Sequence, residues 1–217
     1  MMGNSRGINI AAATVIVVSV IWLAWFFRAP RPDFDVRPHR ALGQVMAEET
    51  LPLLGANGRV ILFIRDYQSF DVPAAKSQAE AFCSALQAVG KTAIITNLIK
   101  LDPLRSTGLT ADAFLDAIRR AKSGDVVVLF LRPPELSTSQ MQVAARQAGR
   151  VVALCTGSTP RQIALREMLS QGVIHKAVVN RAWQKPAPTE GATARQWFDA
   201  WYEVWTKENV AGTASNP

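Results

Sequence analysis

From Arg59 onward the chain repeats one pattern: a short apolar run, a polar loop, an amphipathic stretch of helical period, a glycine, and another apolar run. The runs are Val60 to Ile64, Ala93 to Thr96, Val126 to Leu131, Val151 to Leu154 and Ala177 to Val179. They are β-branched and apolar on both faces, the pattern of parallel strands covered on both sides. Between them, Ala75, Ala79, Phe82, Leu86 and Val89 form a helical stripe ended by Gly90, and a second helix begins at Thr110, buries Phe114, Leu115 and Ile118, and precedes Gly124. Ser137 to Gln140 reads as a capping box, as does Thr159-Pro160-Arg161-Gln162 with proline at the first helical position. Gly149 and Gly172 close those two helices. Strands alternating with helices predict repeated βαβ crossovers, hence an α/β domain with a five-stranded parallel doubly wound sheet, flavodoxin-like in order 2-1-3-4-5. Ahead of it, Arg40 to Leu54 predicts a lead-in helix with Leu42, Val45 and Met46 at helical spacing, interrupted by Pro52 and closed at Gly55 and Gly58.

Two stretches depart from this pattern. Ile8 to Phe27 is twenty residues without a charge. At about 1.5 Å of rise per residue it makes about 30 Å of helix, the thickness of a bilayer's hydrocarbon core. Trp22 and Trp25 with Phe26 and Phe27 form an aromatic belt, and Arg28 follows as a basic stop. A cleaved signal peptide has a shorter apolar region and a small-x-small site, whereas this run ends in Trp-Phe-Phe-Arg-Ala-Pro. The expectation is an uncleaved single-pass anchor. Ala29 to Pro38 then holds three prolines and reads as an extended spacer.

The second departure is the carboxyl-terminal ATARQWFDAWYEVWTKEN. Trp197, Trp201 and Trp205 are spaced four apart and would share one helical face, with Phe198 and Tyr202 beside them. Such a helix either packs on the sheet or offers Trp197, Trp201, Tyr202 and Trp205 to a partner. The predicted organisation is a tail (1–7), a transmembrane helix (8–27), a linker (28–39), the α/β domain (40–185), an aromatic helix (186–208) and a disordered tail (209–217).

Charge changes the picture little. The formal +7 comes from 24 Lys and Arg against 17 Asp and Glu, and Arg28, Arg31, Arg37 and Arg40 crowd just past the anchor. Elsewhere basic residues are scattered among acids, so nucleic acid is not an expected partner. Cys83 falls in a helix and Cys155 at a strand end, which makes a bridge improbable and both small buried residues. Cys155 as a nucleophile would need a base, but His39 lies in the linker and His175 enters the fifth strand at the opposite edge. Two histidines so placed, without clustered cysteines, speak against a zinc site. No glycine fingerprint follows the first strand, so no dinucleotide cofactor is expected.

Gly43, Ala47-Glu48, Leu53-Leu54-Gly55, Gly58-Arg59-Val60, then Ala79, Phe82 and Ala85, and the later phrase MLSQGVIHKAVVNR, together resemble the second lobe of type I periplasmic substrate-binding proteins of the sugar-binding kind. The resemblance spans about Leu42 to Trp205. It implies a ligand-clamping lobe, but the chain has room for one lobe only. Where the family often carries an acid after the fourth strand, this sequence has Thr156-Gly157-Ser158. The family is exported, which implies a domain on the periplasmic side of a bacterial inner membrane, while the arginines after the span favour the cytoplasm.

In an open parallel sheet, ligands sit beyond the carboxyl ends of the strands. That rule nominates Asp66, Arg132, Thr156 and Ser158 as contacts for a small polar molecule. Two readings stand side by side: a non-catalytic accessory or scaffold subunit of a larger membrane complex, docking through the domain and the aromatic helix, and a membrane-tethered ligand-binding or sensor domain.

Overall fold

The computed structural model describes residues 13–23, 25, 34–69, 71–90, 92–100, 108–183, 185–189 and 191–212. One compact unit comprises Asp35–Pro217 and another Met1–Phe34. In the latter, residues 13–23 are helical and their large apolar side chains, Val15 to Val18 and Val20 to Leu23, are exposed, as is Trp25. Among the described residues no helix is long and apolar enough to cross a membrane. The remainder of the expected span, residues 8–12, 24, 26 and 27, and Arg28 after it, lie outside the described residues.

The larger unit opens with α1 (Arg37–Thr50), which begins inside the stretch expected as spacer, and a 3-10 turn (Leu51–Leu53). There follow β1 (Arg59–Arg65), α2 (Pro73–Val89), β2 (Ala93–Ile99), α3 (Ala111–Arg120), β3 (Val126–Leu129), α4 (Thr138–Ala145) and β4 (Arg150–Cys155). The chain then forms α5 (Thr159–Gln162), α6 (Leu165–Ser170), β5 (Lys176–Asn180), α7 (Ala194–Trp201), β6 (Tyr202–Thr206) and α8 (Lys207–Gly212). The sheet order is β2-β1-β3-β4-β5-β6. Its first five strands are parallel in the expected order, but the expected five-stranded parallel sheet is corrected to a six-stranded mixed one, because β6 adds antiparallel to β5.

Because side chains alternate along a strand, each strand feeds two cores. Val60, Leu62, Ile64, Val128, Val152 and Val178 meet Leu42, Val45 and Met46 of α1, Phe82 and Leu86 of α2, and Phe198 of α7. Ile61, Phe63, Val127, Leu129, Ala153 and Val179 meet Phe114 and Ile118 of α3, Met141 of α4, and Leu165 and Met168 of α6. Helix α1 is therefore a central packing helix and not a lead-in. Gly43 makes this possible: a Cβ there would lie 2.3 Å from the Gln78 carbonyl oxygen, so α1 and α2 touch backbone to backbone.

Two sequence expectations are corrected. The aromatic segment is not one helix. Thr193 and Gln196 form a capping box at its start, α7 ends at Trp201, and Tyr202–Thr206 pairs antiparallel with β5, Val204 opposite Val178. Tyr202 and Val204 pack on one core and Trp205 on the other, the period-2 alternation of a strand. The Asn209 side chain then closes β6, donating to the Val204 carbonyl and accepting from the Thr206 N–H, both at 2.8 Å. Residues 207–212, expected within the aromatic helix and the disordered tail, are the separate helix α8. The second correction concerns Thr159-Pro160-Arg161-Gln162, which forms no capping box. Ser158 is the N-cap of a four-residue helix and its side chain caps no N–H. The Ser137–Gln140 capping box is present.

Candidate functional site

At the carboxyl ends of the parallel strands the four nominated residues fall into two groups. Asp66, 3% exposed, accepts the Gln68 and Ser69 N–H groups at 3.0 Å each. The Ser69 side chain and these N–H groups hold its carboxyl below the ordinary range. Its bonds are spent on shaping the loop after β1. Arg132 donates from Nη1 to Gln162 Oε1 at 2.6 Å, tying the loop after β3 to α5. Asp66 and Arg132 thus each have local partners.

The loop after β4 is different. Gly157 takes a left-handed conformation (φ 64°), which a glycine adopts without strain, and its N–H donates to Asn180 Oδ1 at 2.8 Å. This bond couples the end of β4 to the end of β5. A depression of about 800 Å³ opens beside it, lined by Ser158, Arg161, Arg166, Asn180, Arg181 and the β6 side chains Glu203 and Trp205. Glu203 accepts from the Trp205 indole N–H at 2.8 Å and stands 3.6 Å from Arg181 Nη1. The Arg166 guanidinium lies 5.8 Å from the centre of the Trp205 ring. Ala164, left-handed at φ 49°, breaks the segment into α5 and α6 and so sets Arg161 and Arg166 on separate short helices along one rim. A left-handed alanine stores backbone strain, about 1 kcal/mol or more. Just past Arg181, Trp183 is 88% exposed.

Of the nominated residues, Ser158 lines this depression, Thr156 lies half-buried next to it, and Asp66 and Arg132 are elsewhere. Asn180, Arg181 and Glu203 were not nominated. Asn180 and Arg181 directly follow the fifth apolar run, so the strand-end rule applied to that run finds them. Glu203 needed β6, which the sequence reading had as helix.

The aromatic candidates are placed as follows. Trp197 is buried at 7% exposure with the Arg37 guanidinium 4.7 Å from its ring centre. Trp201 is half-buried and its indole N–H has no acceptor among the described residues. Tyr202 rests on Phe198 with ring centres 5.5 Å apart, and Trp205 flanks the depression.

The structure keeps Cys155 and His175 apart. Cys155 is fully buried, and burial pushes its thiol far up. His175 sits at the other end of the sheet, where Nδ1 accepts the Val151 N–H at 3.2 Å. Burial, with the nearby Arg150 charge, lowers it to about 4. No group of three or more His, Cys, Asp or Glu suited to a metal occurs among the described residues. A second hollow, about 480 Å³ between β2 and α3, is lined by Ile61, Phe63 and Ile95 and by the polar Asn97, Asp116 and Arg120, with Arg59 engaged by Asp125 and Asp116 by Arg119.

No protein-family model matches the sequence, and no curated protein matches it. Solved structures do. One, described as the XylFII-LytSN complex, gives a TM-score of 0.48 at 12% identity, covering 78% of this chain and 60% of that one. AraP, an arabinose-binding protein from Geobacillus stearothermophilus, gives 0.48 at 12% identity over 80% of this chain and 62% of its own. A solute-binding protein of an ABC transporter from Agrobacterium vitis, bound with α-D-tagatopyranose, gives 0.49 at 16% identity over 81% and 59%. The single lobe is thus similar to binding proteins of the sugar type, and the chain spans about 60% of their length. At these scores the similarity concerns the course of the chain and nothing of its ligand.

Proposed function

We propose that the domain binds a small polar molecule in the depression beyond β4 and β5, without catalysing a reaction. Residues 8–27 tether it to a bacterial inner membrane, with the domain on the periplasmic side. The observation that supports binding is the convergence at one place of side chains from the loop after β4, the end of β5 and strand β6. Its volume of about 800 Å³ falls within the range of about 300–1,000 Å³ usual for small-molecule sites. The Gly157–Asn180 bond holds the Asn180 amide in place before any ligand arrives. The tether is supported by the uncharged run and by the exposed valines, isoleucines, leucine and tryptophans of residues 15–25. A scaffold reading draws less support, since Trp197, expected in its docking surface, lies in the core.

Thermal unfolding of the full-length chain in a neutral detergent tests the reading. The panel is pentoses and hexoses, among them arabinose and tagatose, with their acids and phosphates. A ligand at about a hundred times its Kd adds about 2.7 kcal/mol, or roughly 5 to 10 °C in Tm. The stabilisation should shrink in Asn180→Ala. No stabilisation by any compound, or one indifferent to Asn180→Ala and Ser158→Ala alike, sinks it.

A further inference from the structure

The depression is rich in donors and poor in free acceptors. Asn180 spends its Oδ1 on the Gly157 N–H, which leaves the two amide donors of its Nδ2. The Ser158 hydroxyl caps nothing. Of the two carboxylates in the lining, Glu167 turns along its own helix to accept from the Gln171 side chain at 2.9 Å, and Glu203 is engaged by Trp205 and Arg181. Three guanidinia, Arg161, Arg166 and Arg181, share the same lining. Neither Arg161 nor Arg166 makes an ion pair among the described residues. Arg181 Nε is buried without an acceptor among the described residues. A buried donor left unmatched is destabilising, and a bound acceptor relieves it.

We infer that the ligand of this depression is a small anion, a polar molecule bearing a phosphoryl or carboxylate group. The guanidinia of Arg161, Arg166 and Arg181 hold the charged end, and Ser158 and Asn180 donate to its neutral oxygens. Guanidinium forks match carboxylate and phosphate oxygens two at a time, and charge-assisted bonds are about twice as strong as neutral ones. The inference rests on the reading of this depression as the ligand site. It replaces the neutral sugar that a plain polar pocket would admit with a sugar phosphate or sugar acid.

The test is isothermal titration of the full-length chain in neutral detergent with glucose 6-phosphate, glucuronate and glucose, at constant ionic strength. The expected result is binding of at least one of the two anions, with glucose weaker by about tenfold or more. Which anion binds assigns phosphoryl or carboxylate. Arg161→Gln should weaken that binding by about tenfold without moving Tm in the absence of ligand, because Arg161 is exposed and unpaired. Arg166→Gln provides a second variant, which also removes the guanidinium beside the Trp205 ring. Failure of both anions to bind at millimolar concentration overturns the inference, as does anion binding indifferent to both substitutions. If glucose binds as well as the anions and Asn180→Ala abolishes it, the inference fails while the binding function stands.

Discussion

Asp125→Asn tests how the sheet closes at the end opposite the depression. Asp125 is 2% exposed. Its Oδ1 accepts the Arg59 N–H at 2.9 Å, and its Oδ2 accepts Arg59 Nη2 at 2.7 Å and the Lys122 N–H at 3.0 Å. Burial alone would raise this carboxyl; the Arg59 side chain and the Lys122 and Arg59 N–H groups outweigh it and bring it from 3.8 down to about 2. At about 1.36 kcal/mol per unit, the ionised carboxylate contributes about 2 kcal/mol to folding at neutral pH. A depressed carboxyl stabilises above its unfolded value, so the contribution is complete above about pH 4 and is lost as pH falls toward 2. Asparagine keeps one acceptor for the backbone and loses the charge. Asp125→Asn should therefore cost about 2 kcal/mol at pH 7, roughly 4 to 8 °C in Tm. It should also flatten the stability profile between pH 2 and 4. Thermal and urea unfolding of both proteins at pH 7 and pH 2.5 measure this. A variant within about 0.5 kcal/mol of the parent at pH 7, or one with the same acid loss, would refute the reasoning.

Other expectations follow from single contacts. Gly43→Ala would drive a methyl to 2.3 Å from the Gln78 carbonyl and should cost about 1–3 kcal/mol in a denaturant titration, by forcing α1 and α2 apart. Phe198→Ala empties a fully buried site and should cost about 3–5 kcal/mol; a negligible loss would return the aromatic segment to the surface. His175, half-buried and lowered to about 4, is bound neutral through Nδ1, so stability should be full above about pH 6.5 and decline toward pH 4. His175→Gln should remove about 1 kcal/mol of that slope, read from urea midpoints. Cys155 should resist alkylation in the native chain and react only on unfolding, as mass spectrometry of labelled peptides would report.

The parallel core was legible because its strands are apolar on both faces, a pattern with few alternatives. Strand β2 was legible only to Thr96; Asn97, whose side chain donates to the Leu62 carbonyl at 3.4 Å, looked like an end and is an edge position. Strand β6 was not legible. Its alternation Tyr-Glu-Val-Trp-Thr is that of an edge strand, but tryptophans four apart read more strongly as a helical face, and only pairing with β5 decides between them. Helix α1 was legible as a helix, while its central position depends on Gly43 meeting Gln78, a contact between distant parts of the chain. At the site, Ser158 followed from the strand-end rule. Arg161 and Arg166 reach one rim through the left-handed turn at Ala164, for which alanine gives no local signal.

Hydrogen exchange on the full-length chain, with and without saturating amounts of the most stabilising compound of the panel, tests the central claim most directly. The account predicts slowed exchange confined to residues 156–166, 180–183 and 202–206, with the Gly157 amide already slow and slowing further. Slowing centred on residues 93–99 and 111–120, around the hollow between β2 and α3, would contradict it and move the binding site to the opposite edge of the sheet.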